Sequence, residues 1–229
     1  MGATPASVED VIARLHDIND QLEAGDGVRV FNDLYLTVTE RLASGIDHGR
    51  FGNPPFMSSL DVNFASLWLA AYDAPAGAAP KPWAPLFESR HNQSVLAIQF
   101  ALAGMNAHIE HDLPLAVVQT CREHGVSPET AGVHGDFEAV NDLLADCEAE
   151  IRRSFLTDAA RAATAEIEPV VHLVNSWKID SARDVAWVSA EVLWTMRAAE
   201  ALADRYLATL ARTVAMASRC LLTPTRLVR

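Results

Sequence analysis

Cysteine is scarce in this chain, and the few that occur follow no recognisable spacing. Cys121, Cys147 and Cys220 are the three cysteines among 229 residues, so their number is odd and they lie far apart. A disulfide framework needs an even set of cysteines, and a cysteine-based metal site needs closely spaced ones. Both kinds of site are excluded, and we expect a reducing, cytoplasmic location.

Basic residues are also few. The chain has 18 Lys and Arg against 30 Asp and Glu, which gives a formal net charge of −12 at pH 7. A protein with this charge repels the phosphates of nucleic acids and of anionic membrane surfaces. We therefore expect neither nucleic acid nor membrane as a partner. A small-molecule substrate is the expected partner, and a homodimer is left open.

No hydrophobic run is long enough to cross a membrane. Residues 92–107 form a stretch of sixteen without an ionisable side chain, but this is shorter than a bilayer requires and it includes two asparagines and two glutamines. The first residues lack the basic and apolar regions of a secretory signal. We expect a soluble protein in which residues 92–107 form a buried helix.

Strand patterns are absent, and helix-breaking residues are rare in the last third. No glycine follows Gly135, and no proline lies between Pro169 and Pro224. Apolar residues recur every three or four positions, which predicts helices at 7–22, 28–43, 59–72, 92–107, 114–124 and 137–155. Clusters of glycine and proline predict an irregular connection at 45–55 and an irregular segment that crosses the protein surface at 74–85. Together these patterns predict one all-α domain over residues 1–229, a bundle of about seven to nine helices.

A polar cluster directly follows the uncharged run. Its members Asn106, His108 and Asp112 lie within seven residues of one another. His108 and Asp112 are four apart, so on a helix the carboxylate neighbours the imidazole and can orient it, or both can bind one divalent cation. The structural alternative is that Asp112, close before Pro114, caps the next helix. The apolar surroundings favour a buried polar site, because buried polar groups need partners.

The motif Gly104-Met-Asn-Ala-His-Ile-x-x-Asp-Leu-Pro114 resembles the signature of an uncharacterised bacterial domain-of-unknown-function family, family 5995. The segments Asp136-Phe-x-x-Val-Asn141 and Arg183-x-x-Ala-Trp187 strengthen the likeness, which covers most of the chain from about residue 60 onward. The resemblance implies an all-helical fold but no reaction. It marks seven positions as candidates for a site: Asn106, His108, Asp112, Asp136, Asn141, Arg183 and Trp187.

A weaker likeness is to the zinc-dependent phospholipase C and single-strand nuclease class, helical proteins in which a His-x-x-x-Asp pair binds metal. Only His108 and Asp112 match that pair. This resemblance implies a divalent metal as cofactor and a phosphoester hydrolase as function. The remaining ligands would come from His134, Asp136, His91 or Asp61.

The main hypothesis is an enzyme that acts on a small organic molecule in an apolar pocket between helices. His108 is its general acid/base, or a metal ligand together with Asp112; Asp112 orients the imidazole, and Asn106 holds the substrate or a developing negative charge. The substrate-binding residues are Asp136, Asn141, Arg183 and Trp187. A natural-product tailoring step such as cyclisation, isomerisation or hydrolysis fits such a site. The alternatives are the metal-dependent hydrolase and a non-catalytic protein that binds a small ligand.

Overall fold

The chain forms a bundle of α-helices wherever the computed structural model describes it, namely over residues 4–145, 153 and 178–224. No β-strand occurs in these residues, so the predicted all-α fold is confirmed. The first five helices are α1 (Val8–Gln21), α2 (Gly27–Asp47), α3 (Pro54–Tyr72), α4 (Ala84–Ser89) and α5 (Ala97–Ala107). The later elements are a π-helical turn (His108–Asp112), α6 (Leu113–Glu123), α7 (133–145), α8 (Ile179–Thr195) and α9 (Glu200–Leu221).

The connection between α2 and α3 is shorter than the irregular segment predicted at 45–55. α2 continues to Asp47 and α3 begins at Pro54, because the Asn53 side chain accepts a hydrogen bond from the backbone N–H of Phe56 and caps the helix. Proline is tolerated in the first turn of a helix, where its missing N–H would have no intrahelical partner. The two prolines that the sequence analysis treated as breakers therefore begin a helix.

Two other boundaries also differ from the predictions. α5 begins only at Ala97, five residues into the predicted helix 92–107. α7 begins at residue 133, before the predicted start of the helix 137–155, and is described to residue 145. The remainder of that predicted helix, including Cys147, lies outside the described residues apart from residue 153.

α5 is the central helix of the described bundle. Every residue from Ile98 to Ala107 is buried, and the helix packs against α2 and α9. α6 packs against α3 and α8. The π-helical turn that joins α5 to α6 also contacts α3, α8 and α9, so it lies where several helices meet. Within the described residues, no helix has the length and apolar character that a membrane span requires.

Gly104 permits close packing between α5 and α2. A Cβ added at this position would overlap the ring of Phe31. We expect Gly104→Ala to lower the free energy of unfolding by a net of about 1–2 kcal/mol, because an overpacking cost of about 2–3 kcal/mol outweighs the gain of about 1 kcal/mol from the helix propensity of alanine. Urea unfolding followed by circular dichroism measures the change.

Gly25→Ala is the matched control, because nothing lies within 4 Å of a Cβ built at Gly25. Its free energy of unfolding should stay within about 0.5 kcal/mol of the unchanged chain. Equal unfolding midpoints for the two variants would contradict the tight contact between Gly104 and Phe31.

Candidate functional site

The predicted polar cluster lies in the π-helical turn His108–Asp112. The backbone N–H of Leu113 donates to the carbonyl of His108, a bond that spans five residues instead of the usual four. Pro114 follows at once; it has no N–H, and its ring would clash with a carbonyl of a regular α-helix. The wider turn accommodates this proline, so α5 and α6 form one continuous helical run. π-helical turns of this kind occur frequently at functional sites.

Asp112 is buried and accepts three hydrogen bonds. Oδ2 accepts from Trp83 Nε1 at 2.9 Å and lies 3.2 Å from His108 Nδ1, while Oδ1 lies 2.8 Å from His111 Nδ1. Burial alone would raise the pKa of this carboxyl, but the bonds to His108 and His111 bring the pKa below its ordinary value. The side chain makes no capping bond to α6, so the capping alternative was wrong.

Trp83 comes from the segment 74–85, which the sequence analysis predicted to be a surface crossing. Its side chain is instead among the largest fully buried ones in the described residues. The indole of Trp83 therefore provides a donor to Asp112 from 29 residues away.

His108 is only 2 % exposed, and its two ring nitrogens have different environments. An ionised carboxylate only accepts hydrogen bonds, so the proton of the neutral imidazole is on Nδ1, facing Asp112. Nε2 then carries the lone pair; it is buried and has no hydrogen-bond partner. Burial lowers the pKa of His108, and the hydrogen bond and charge of Asp112 oppose this only in part. Near pH 7 the imidazole is thus a neutral base.

Aromatic rings fix the orientation of His108. The ring of Phe64 is stacked on the imidazole with the centroids 3.5 Å apart and the planes at 7°. Tyr35 meets the imidazole edge to face at 4.5 Å, and Phe31 does so at 5.8 Å. The base is thereby held in one position before any ligand binds, which is the arrangement that lowers the entropic cost of a reaction.

A cavity of about 90 Å³ lies against His108. On this scale one water needs roughly 10–15 Å³, so the cavity has room for a small organic ligand. Most of the lining is apolar, with side chains from α2, α3, α5, α7 and α8. The lining residues that matter for chemistry are Tyr35, Arg41, Asp61, His108 and Arg183.

Three buried side-chain atoms in the described residues lack a hydrogen-bond partner: Tyr35 Oη, Asp61 Oδ2 and His108 Nε2. All three residues line this cavity. Burial raises the pKa of Asp61 to about 7. Burial, with the charge of Asp61 as a further cause, also raises the pKa of Tyr35 well above its ordinary value, which the nearby side chain of Thr39 opposes only in part. Because native proteins rarely leave buried polar atoms unpaired, their convergence on one cavity marks a ligand site.

Tyr35 was not among the predicted site residues, and Asp61 was predicted only as a metal ligand. A signal for Asp61 was present, because it is the only acidic or basic residue in the nineteen of α3. Tyr35 had no such signal, since α2 carries polar and apolar residues throughout.

The other predicted site residues do not line the cavity, with the exception of Arg183. Asn106 Nδ2 donates to the carbonyl of Val214 at 3.0 Å and to Ser218 Oγ at 2.9 Å, which ties α5 to α9. Asp136 accepts from the backbone N–H groups of Gly52 and Asn53 at 2.6 and 2.7 Å. These two side chains hold neighbouring segments of the fold together.

Arg183 and Asn141 form a pair at the edge of the cavity. Arg183 Nε donates to Asn141 Oδ1 at 2.6 Å, and one Nη donates to the carbonyl of Phe137 at 2.5 Å. The guanidinium also lies 4.0 Å from the ring centroid of Phe137. Burial lowers the pKa of Arg183 to about 10, so it stays charged near neutral pH. Trp187 packs on Phe137 and donates to Glu191.

Metal ligands do not converge in the part of the chain that the structure describes. No group of three or more His, Cys, Asp or Glu side chains in residues 4–145, 153 and 178–224 has the geometry to hold a metal ion. His134 lies 3.4 Å from Glu138, and His91 lies 3.8 Å from Asp26. His108 and Asp112 would supply two donors at most, and the carboxylate of Asp112 is already occupied by hydrogen bonds.

Comparison with known proteins adds the family but no activity. No curated protein and no solved structure matches the chain. The model of a family of unknown function, DUF5995, matches residues 8–224. This match extends over nearly the whole chain and includes every residue of the site, so the chain belongs to this family of unknown function.

Proposed function

We propose that this protein is an enzyme that transfers a proton on a small, largely apolar molecule bound beside His108. The observation that carries the proposal is the state of the imidazole: Nδ1 faces an ionised carboxylate, while Nε2 is buried and unpartnered at a cavity. A base needs an available lone pair, a fixed orientation and a partner for the positive charge that forms on it. Nε2, the stacked Phe64 ring and Asp112 meet these three needs.

Asp112 and Asp61 have different roles in this proposal. Asp112 orients His108 and stabilises the imidazolium ion, and Trp83 helps to hold the carboxylate in place. Asp61 has a pKa of about 7, so both of its protonation states are populated near neutral pH. An acid with a pKa close to the working pH is suited to donating to an atom of the substrate on which negative charge develops. An isomerisation or cyclisation is therefore the reaction class that the site supports best.

The test uses 1,2-benzisoxazole, a small apolar compound that reports a base in an apolar cavity. When a base takes its ring C–H proton, the electron pair of that bond forms a nitrile, the N–O bond breaks, and 2-cyanophenolate is released. We expect the protein to open this ring faster than free imidazole does at the same concentration. We also expect the rate to increase with the unprotonated fraction of a group whose pKa is below 6.5, because burial lowers the pKa of His108. A rate no higher than that of imidazole would overturn the proposal.

The metal-dependent hydrolase predicts a different response to chelation. Because Asp112 is occupied by three hydrogen bonds, we expect treatment with EDTA to leave the benzisoxazole rate unchanged. Elemental analysis before and after treatment, with the rate measured on each sample, checks this result. Loss of the rate on chelation, and its return when zinc is added, would favour the metal-dependent hydrolase instead.

We further propose a cytoplasmic location, because Cys121 and Cys220 are free thiols and suit a reducing compartment.

A further inference from the structure

The three unpartnered atoms at the cavity offer complementary hydrogen bonding. His108 Nε2 is an acceptor, because the proton of the ring is on Nδ1. Tyr35 Oη is a hydroxyl and donates one hydrogen bond. Asp61 Oδ2 donates when the carboxyl is protonated. The cavity therefore presents two donors and one base to a ligand.

These three groups are neighbours as well as members of one cavity. Asp61 and Phe64 are three residues apart on α3, so their side chains share a face of that helix. The ring of Phe64 lies 3.5 Å from the imidazole of His108 and 5.9 Å from the ring of Tyr35. The rings of Tyr35 and His108 are 4.5 Å apart. Tyr35 thus lies beside the base, and Asp61 lines the same cavity from the helix face that carries Phe64.

The ligand that fits this set has an oxygen with two lone pairs next to a carbon that can lose a proton. A carbonyl group has both features. The apolar lining disfavours an ionised ligand, since a charge transferred from water into such a site needs a paired countercharge. Two cationic residues line the cavity, but Arg183 already donates to Asn141 and to the carbonyl of Phe137, and Arg41 also has a partner.

This inference rests on the proposed function: we propose that the substrate is a neutral, apolar carbonyl compound. Its oxygen accepts hydrogen bonds from Tyr35 Oη and Asp61 Oδ2, while His108 Nε2 removes a proton from the adjacent carbon. Tyr35 and Asp61 are then catalytic residues that recognise the substrate class.

The step balances with the groups that the cavity holds. The proton moves from carbon to His108 Nε2, the electron pair of the C–H bond forms a carbon–carbon double bond, and the carbonyl π pair moves onto oxygen. Tyr35 and Asp61 stabilise the resulting enolate where its charge develops, which is the most effective place for fixed donors. Where the substrate has a carbon–carbon double bond next to that carbon, the imidazolium of His108 returns the proton to the far carbon of the dienolate, which completes an isomerisation. No oxidant, reductant or further reactant is needed.

The test compares two probes that differ only by the carbonyl, 2-indanone and indane. Calorimetric titration measures their affinities for the unchanged protein, Tyr35→Phe and Asp61→Asn. Near about pH 5.5, where Asp61 is protonated, we expect the protein to prefer 2-indanone. Tyr35→Phe should lower the affinity for 2-indanone by about 2- to 10-fold, as expected for one lost hydrogen bond, and leave that for indane unchanged.

Asp61 gives the preference for the ketone a distinctive pH dependence. Near about pH 8.5 the ionised carboxylate of Asp61 no longer donates, so the preference for 2-indanone should fall in the unchanged protein. Asp61→Asn keeps an N–H donor at every pH, and its preference should stay constant. The other titratable groups at the cavity are Tyr35 and Arg41 from α2, His108 from the π-helical turn and Arg183 from α8. Burial lowers the pKa of His108, and Asp61→Asn keeps this imidazole, so the variant also controls for its titration.

Tyr72→Phe is the matched control for Tyr35→Phe. Tyr72 also lies in the helical bundle and is partly buried, but it does not line the cavity, so its variant should bind both probes as the unchanged protein does. An equal loss of both probes in Tyr35→Phe, or tighter binding of indane-2-carboxylate than of 2-indanone, would overturn the carbonyl assignment.

A second readout separates this inference from the proposed function. In D2O the α-protons of 2-indanone should exchange with solvent faster with the protein than without it, as followed by proton NMR, and His108→Gln should remove this acceleration. If the ring of 1,2-benzisoxazole is opened in a His108-dependent way while the ketone is not preferred, the carbonyl assignment fails and the proposed function stands. If the ketone is preferred but neither exchange nor ring opening depends on His108, the proposed function fails and the carbonyl-binding site stands as a binding site.

Discussion

Replacing His108 with glutamine is expected to lower the rate of 1,2-benzisoxazole opening by about 100- to 10,000-fold, the usual contribution of a positioned general base. The glutamine amide can still donate to Asp112, but it has no lone pair basic enough to accept a proton from carbon. Because the variant keeps the hydrogen bond to Asp112, the fold should be retained. Initial rates measured over a pH series, together with circular dichroism, test both parts of this expectation.

His124→Gln is the matched control for this experiment. His124 is partly buried and, like His108, packs against an aromatic ring, since its imidazole lies 5.3 Å from the ring of Phe56, but it does not line the cavity. Its replacement should leave the rate unchanged. A His108→Gln variant with the rate and pH profile of the unchanged protein would show that the base is elsewhere.

Asp112→Asn probes how the base is oriented. An asparagine amide can donate to His108 Nδ1, which moves the ring proton to Nε2 and removes the lone pair from the cavity side. We expect a reduced rate with a changed pH profile, since the tautomer and not the imidazole itself is altered. A variant that lowered only stability and kept the pH profile would restrict Asp112 to a structural role.

Asp61→Asn is expected to stabilise the protein most strongly at alkaline pH. The pKa of Asp61 is raised from 3.8 to about 7 in the fold, so the folded chain binds this proton more tightly than the unfolded chain. Stability from this group is complete below about pH 3.8 and is lost as the pH rises through about 7. At about 1.4 kcal/mol per pKa unit, this loss amounts to about 4 kcal/mol.

Asparagine does not ionise, so Asp61→Asn should avoid this loss. The difference in unfolding free energy between the variant and the unchanged chain should therefore be about 4 kcal/mol larger near about pH 9 than near about pH 3. Urea unfolding at several pH values measures it. Asp17→Asn, at an exposed position of α1, is the control and should show no such trend. A pH-independent difference for Asp61→Asn would mean that Asp61 is not held in an apolar environment.

Such an unfavourable buried acid is typical of functional sites. A residue that weakens the fold at working pH persists only if the surrounding structure compensates for it, and active sites are where perturbed pKa values collect. The same substitution is thus expected to improve stability and, in the proposed reaction, to remove an acid from the cavity.

The helical class could be predicted from the sequence because it depends on local spacing. Val11, Leu15 and Ile18 recur at helical intervals, and all three are fully buried in the structure. The start of α3 could not be predicted from the presence of proline alone. A proline in the interior of a helix breaks the helix, whereas a proline in its first turn is compatible with it. Pro54 is of the second kind because Asn53 caps the first turn of α3, and the sequence pattern alone does not separate the two cases.

The part of the site that depends on neighbouring residues of one helical turn could also be predicted. His108 and Asp112 are four residues apart, so their contact requires only a helical backbone. Trp83 and Tyr35 could not be placed, because their positions depend on how distant helices pack against the π-helical turn. Asn106 lies in the same signature as His108 but on another face of the helix, where it bonds to α9. A shared motif therefore did not mean a shared cavity.

The bonds between α5 and α9 set an order of events during synthesis on the ribosome. Gln99 donates to the carbonyl of Leu221, and Asn106 donates to that of Val214, so partners are separated by 122 and 108 residues. At about 5–20 residues per second, α5 waits roughly 5–25 s after its own translation before α9 exists. Throughout that interval the uncharged, apolar α5 lacks the cover of α9, so part of its hydrophobic surface stays exposed on the nascent chain.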